Sequence, residues 1–173
     1  MISRKTENIL ITLAKIEATV ARVYEKFARN NNYTDAAKEF WESTMKEELE
    51  HEKLFNKIRE KANGDGSTQI EINFDTEQLR KIINDFKKIL KEVSKELIPE
   101  SRTYELGALI EEKLYEFSFA KRIITEDEDI VRSIRQVVDD TRRHQRMLYN
   151  YSLGARNPLR PPTGSAVPVA ENE

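Results

Sequence analysis

A glutamate, Glu17, interrupts a helical stripe that is otherwise apolar. Ile9, Leu13, Ile16, Val20, Val23 and Phe27 recur at three- and four-residue intervals and predict a helix over residues 5–30 with one face turned to a core. An unpartnered carboxylate on such a face is costly. Any fold of this chain must therefore bring a partner to Glu17, and a metal ion would serve. The pattern returns in the second half of the chain. Setting Glu111 on Glu17 places Ile110, Leu114 and Phe117 on Ile16, Val20 and Val23, and Ala108 on Ala14. The neighbouring Glu112, with Ala108 and Phe119 on its face, is the alternative to Glu111.

The chain has two histidines, His51 and His144, and they sit at equivalent places in these halves. Glu48-x-x-His51 puts a carboxylate and an imidazole one turn apart on one helix face, which is half of a two-metal site. Setting His144 on His51 places Met147-Leu148 on Leu54-Phe55. Two related halves then face each other across a metal site. The second half departs from the first at Thr141, which stands where a second Glu-x-x-His needs its glutamate; Asp139 and Asp140 precede it. Asp140, one turn before His144, is the candidate substitute, though one methylene shorter.

Between these residues the chain reads as helices with short breaks. Thr34 is the expected N-cap of a second helix carrying Phe40, Trp41, Met45, Leu49, Leu54, Phe55 and Ile58 and ending before Gly64. Residues 67–74 alternate and predict an extended segment. Asp75-Thr76 opens a third helical pattern that stops near Pro99 and suits a crossover between two antiparallel hairpins. A fourth helix is expected over residues 104–124. Thr125-x-x-Glu128 resembles a capping box opening the last helix. From Gly154 the composition turns to proline, serine and valine without a period. This divides the chain into a helical domain, residues 1–153, and a proline-rich tail, residues 154–173, that could dock the domain into a larger assembly.

Composition narrows the function classes. A net charge of −2 gives no field favouring nucleic acid or an acidic membrane surface. The absence of cysteine excludes disulfides, zinc ribbons, cysteine-held iron–sulfur clusters and thiol catalysis in this chain. No signal peptide and no membrane span are read from the sequence, so the expectation is a cytoplasmic protein.

Taken together, Glu17 with Tyr24 seven residues on, Glu48-x-x-His51, Glu111 and His144 resemble the ligand set of the ferritin-like carboxylate proteins, particularly the rubrerythrin branch. The resemblance spans residues 5–153. It implies an all-α fold: an antiparallel four-helix bundle with an additional crossover helix. It also implies two bound iron ions, with manganese or zinc as alternatives, reacting with peroxide or dioxygen in a peroxidase- or ferroxidase-type reaction. Tyr24 would take part in catalysis. Glu48 and Glu111 would bridge the ions, Glu17 and His51 would complete the first, and His144 would hold the second with Asp140 or water beside it. One ion rather than two is the expectation if Thr141 has broken the second position. Electrons would come from an external donor, and the bundle would pair as a homodimer. The chain departs from rubrerythrins in lacking the cysteine-ligated iron domain and in carrying Leu114 where they have an extra glutamate. The alternative is a non-catalytic helical interaction or scaffold protein that retains the bundle around a degenerate site. Arg142, Arg143 and Arg146 are expected to face solvent or a subunit interface.

Overall fold

The first helix, α1 (Arg4–Ala28), is capped by Ser3, whose hydroxyl accepts the amide proton of Thr6 at 3.0 Å. The structure, a computed structural model, describes residues 2–64, 68–95, 98–116 and 122–156, the stretch 152–156 by backbone only. After α1 come α2 (Asp35–Gly64), β1 (Ile70–Ile72), α3 (Thr76–Val93), α4 (Glu100–Glu116), β2 (Ile123–Thr125) and α5 (Glu128–Arg156). The described chain is thus all-α apart from two short strands. None of its helices is long and apolar enough to cross a membrane.

α1 packs along α2, α4 along α5, and α3 lies against α1. The connection between α1 and α2 is short, so they run antiparallel and their apolar stripes close on each other. Leu10, Leu13, Val20, Phe27, Trp41, Phe55, Ile110 and Leu148 are buried in one continuous core. Leu79, Ile82, Ile83 and Phe86 form the buried face of α3. Thr34 caps α2 by accepting from Ala37 N, as expected, and α3 opens where expected with Asp75 as its cap, accepting from Glu77 N.

Three local expectations are corrected. α4 spans Glu100–Glu116, and the expected run towards residue 124 falls in part on residues 117–121, including Phe117 and Phe119, which lie outside the described set. Residues Ile123–Thr125 instead form a strand antiparallel to β1, pairing Ile70 with Thr125 and Ile72 with Ile123. A three-residue strand has too little pattern to announce itself; the partner decides it. The cap of α5 is Asp127, whose carboxylate accepts from Asp129 N and Ile130 N, while Thr125 belongs to β2, its hydroxyl donating to the Gln69 carbonyl and accepting from Asp127 N. α5 also runs on through Gly154 to Arg156, and the remainder of the tail lies outside the described residues.

Gly107 is where α4 approaches the aromatic core most closely. A Cβ there would lie 2.6 Å from the tip of the Trp41 ring and 3.2 Å from Leu148. That ring is held by Tyr24, Phe27, Phe40 and Tyr104 and cannot swing aside. Gly107→Ala gains about 1 kcal/mol in helix propensity. The overpacking cost, roughly 3 kcal/mol at such a rigid contact, is larger. The expected net loss of about 2 kcal/mol lowers the melting temperature by about 4–8 °C, which thermal denaturation would measure.

Candidate metal centre

Four of the described helices, α1, α2, α4 and α5, each send a buried titratable side chain to one place. Glu17 comes from α1, Glu48 and His51 from α2, Glu111 from α4 and His144 from α5, and all are buried. Glu111 is the inward residue and Glu112 is exposed, which resolves that alternative. The residues form two groups, Glu17–Glu48–His51 and Glu48–Glu111–His144, in each of which one ligand atom per residue lies within 4.8 Å of the others. Glu48 belongs to both. One of its carboxylate oxygens is 3.3 Å from His51 Nδ1 and the other 3.1 Å from His144 Nδ1.

Three buried atoms here lack a hydrogen-bond partner: Glu17 Oε2, Glu111 Oε2 and His144 Nδ1. His144 Nδ1 is close to Glu48 and is 3.5 Å from Glu111, but is aligned for a hydrogen bond to neither. Buried polar atoms are rarely left so in a native core. All three are of the oxygen or imidazole type that binds iron, manganese or zinc, so the residues fit a cation.

The electrostatics agree. Burial pushes the Glu17 carboxyl well up, and the Glu48 charge adds to this. Burial and Glu48 also raise Glu111. For Glu48 burial pulls upward too, but His144 and His51 outweigh it and hold its carboxyl below the ordinary range. Burial would lower His144, yet proximity to Glu111 and Glu48 raises it to about 11. Against the same opposing burial, Glu48 and Asp140 raise His51. Burial and neighbouring charges thus favour protons on Glu17, Glu111 and both imidazoles around one carboxylate, Glu48. A cation binding there must displace them.

Asp140 lies elsewhere than a ligand position. Its carboxylate is 3.3 Å from His51 Nε2, the outer nitrogen, and belongs to neither group. Glu47, which the sequence reading passed over, does the same for the other half: its carboxylate accepts from His144 Nε2. Each acid precedes the histidine of its own helix by four residues, yet serves the histidine of the opposite helix. A carboxylate on the outer nitrogen fixes the ring orientation and leaves Nδ1 facing inward. The signal was in the sequence as an acid four residues before each histidine. Arg143 joins the two acids, donating to Glu47 Oε2 at 2.9 Å and to Asp140 Oδ1 at 2.8 Å, while its side chain remains partly open to solvent.

Thr141 is buried and its hydroxyl donates to the Val137 carbonyl at 2.9 Å. It takes the place of a carboxylate without leaving a polar group unsatisfied. Tyr24, also fully buried, donates to Glu111 Oε1 at 2.6 Å. Burial and the nearby Glu111 and Glu48 hold its phenol well above the usual range, so it stays a donor at neutral pH. Compared with protein-family profiles, curated proteins and solved structures, the chain matches none of them.

Proposed function

We propose that this chain is a ferritin-like, rubrerythrin-like carboxylate protein that binds two metal ions, iron foremost, and uses them in a reaction with peroxide or dioxygen. In this reading α1, α2, α4 and α5 are the four bundle helices and α3 is the crossover. The observation that supports it most is the pair of Glu/His groups sharing Glu48, with three buried ligand atoms left unsatisfied. Glu17, Glu48 and His51 would hold one ion and Glu48, Glu111 and His144 the other.

Bound iron would supply redox electrons and an electrophilic centre for an oxygen species. The chain's residues do the rest. Three protein donors at each position leave coordination open to a small oxidant. Glu17, Glu48, His51, Glu111 and His144 are all buried, which keeps bulk water away. Tyr24 holds Glu111 in place and offers a proton at Oη. Glu47 and Asp140 hold the two imidazoles.

The test is metal content per chain after anaerobic iron loading of the full chain. About two ions per chain are expected, with peroxide consumption as the following assay. Thr141→Glu adds the missing carboxylate and is expected to tighten the Glu48–Glu111–His144 position roughly tenfold, by one additional charged ligand. The buried, internally satisfied Thr141 favours a second reading, a helical scaffold with a degenerate site. No bound metal in either protein would leave that reading alone standing.

A further inference from the structure

The structure places an unbroken file of oxidisable rings between the buried centre and the surface. Tyr24, hydrogen-bonded to Glu111, lies with its ring centroid 5.0 Å from that of Trp41. Trp41 is stacked on Tyr104 at 5.5 Å, and Tyr104 is stacked on Tyr151 at 5.0 Å with only 10° between the planes. The first two rings are wholly buried, Tyr104 is 6 % exposed and Tyr151 is 40 % exposed. The Tyr104–Tyr151 pair is an offset stack that carries the file out of the core to the surface of α5, so the rings stay in contact from the buried centre to solvent. Tunnelling falls off exponentially with the gap, so rings in contact conduct where the same span of aliphatic side chains would not.

We propose that Tyr151, Tyr104, Trp41 and Tyr24 form a relay that carries single electrons from an outer-sphere one-electron reductant at the surface to the metal centre, with Tyr151 as its outer terminus. This rests on the function proposed above and supplies its missing step, the route by which an external donor reaches a buried site. In each pass Tyr24 gives one electron to the centre and its phenolic proton to Glu111 Oε1. Trp41 returns an electron to Tyr24, whose proton comes back from Glu111. Tyr104 refills Trp41 and Tyr151 refills Tyr104, each phenol releasing its proton towards solvent as it is oxidised and regaining one as it is reduced. The outside reductant, represented by ascorbate, loses one electron and refills Tyr151. Two passes deliver two electrons, which with two protons from solvent convert one hydrogen peroxide to two waters. The indole N–H of Trp41 is held by Thr103 Oγ1 at 3.1 Å, which keeps the ring in register between its neighbours.

The relay can be tested without any metal. In the metal-free full chain, ruthenium(III) tris-bipyridine, generated by light and persulfate, is a surface oxidant too large to touch the buried Trp41. Withdrawing two electrons through the relay hydroxylates the indole, with the oxygen from water and two protons released, and peptide mass spectrometry reads the product. The yield at Trp41 is expected to fall about tenfold or more in Tyr151→Phe and in Tyr104→Phe, since a phenyl ring is far harder to oxidise and each 1.36 kcal/mol of barrier is a factor of ten. Both variants keep the stacked ring, and Tyr149→Phe, an exposed tyrosine outside the file, is expected to leave the yield unchanged. Equal Trp41 oxidation in all the proteins, or none in the unsubstituted chain, overturns the relay. In the iron-loaded chain, ascorbate-dependent peroxide consumption is expected to slow by a similar factor in Tyr151→Phe, and an unchanged rate there also overturns it. A chain that takes up no metal overturns the proposed function instead, while the metal-free experiment still decides whether the rings conduct.

Discussion

Glu48→Gln is expected to empty both metal positions at once, because Glu48 alone belongs to both ligand groups. Metal content after loading should fall from about two ions per chain to near zero, where loss of a ligand from one group alone removes about one. The metal-free protein should also become less stable. Glu48 is the carboxylate that holds charge between two imidazoles, and removing one member of a buried pair costs about 3–5 kcal/mol. For a chain of this size that is a drop of about 6–20 °C in melting temperature. The pH dependence follows from the directions of the shifts. The folded-state value of Glu48 is depressed, so its contribution is present above the ordinary 4.5 and lost as pH falls below it. His144 is raised from 6.5 to about 11, so its contribution is complete below 6.5 and lost as pH climbs towards 11. The loss in Glu48→Gln is therefore greatest between about pH 5 and 6.5, and calorimetry across that window would measure it. A metal-free melting temperature unchanged in this range would remove Glu48 from its assigned role.

Glu17→Gln is expected to do the opposite to the metal-free protein. Burial and the Glu48 charge raise the Glu17 carboxyl well above 4.5. Its folded-state stability is thus complete below 4.5 and declines as pH rises through the raised value, which makes the carboxyl a liability near neutrality. An amide of the same shape carries no such charge. The metal-free variant should gain about 1–3 kcal/mol at pH 7, with less gain at pH 4. That corresponds to an increase of about 2–12 °C in melting temperature. The variant should nevertheless bind about one ion fewer, since the Glu17–Glu48–His51 group has lost a ligand. Titrating iron into the unsubstituted chain should stabilise it by about 2.7 kcal/mol at a hundredfold excess over the dissociation constant, and a chelator should reverse this. Glu48→Gln should show no such shift. The same chemical change at two neighbouring carboxylates thus separates Glu48, whose surroundings favour its charge, from Glu17, whose surroundings favour its proton. A scaffold protein with no ligand would have no reason to keep the destabilising one.

The sequence alone determined the helices and which of their faces are inward, because burial and a 3.6-residue period write themselves into the spacing of Ile, Leu, Val and Phe. It also picked out Glu17, Glu48, His51 and His144 as polar residues turned inward, with Glu111 or its neighbour Glu112 as the fifth. Polar residues at core positions of matched helices stand out against an apolar stripe. The register of its neighbours favoured Glu111 over Glu112, and burial in the folded chain decided it. The tertiary structure decided whatever depends on who sits opposite. Asp140 was legible as an acid beside a histidine, but its reach across to His51, and that of Glu47 to His144, is set by how α2 and α5 face each other. Strand β2 exists because Ile70–Ile72 offers an edge to it, and Thr125 leaves the cap of α5 to Asp127 for the same reason. The ring file from Tyr24 to Tyr151 draws on α1, α2, α4 and α5, and no spacing within a helix encodes a stack between helices. Periodicity reports the direction in which a side chain points, and packing alone reports what it meets there.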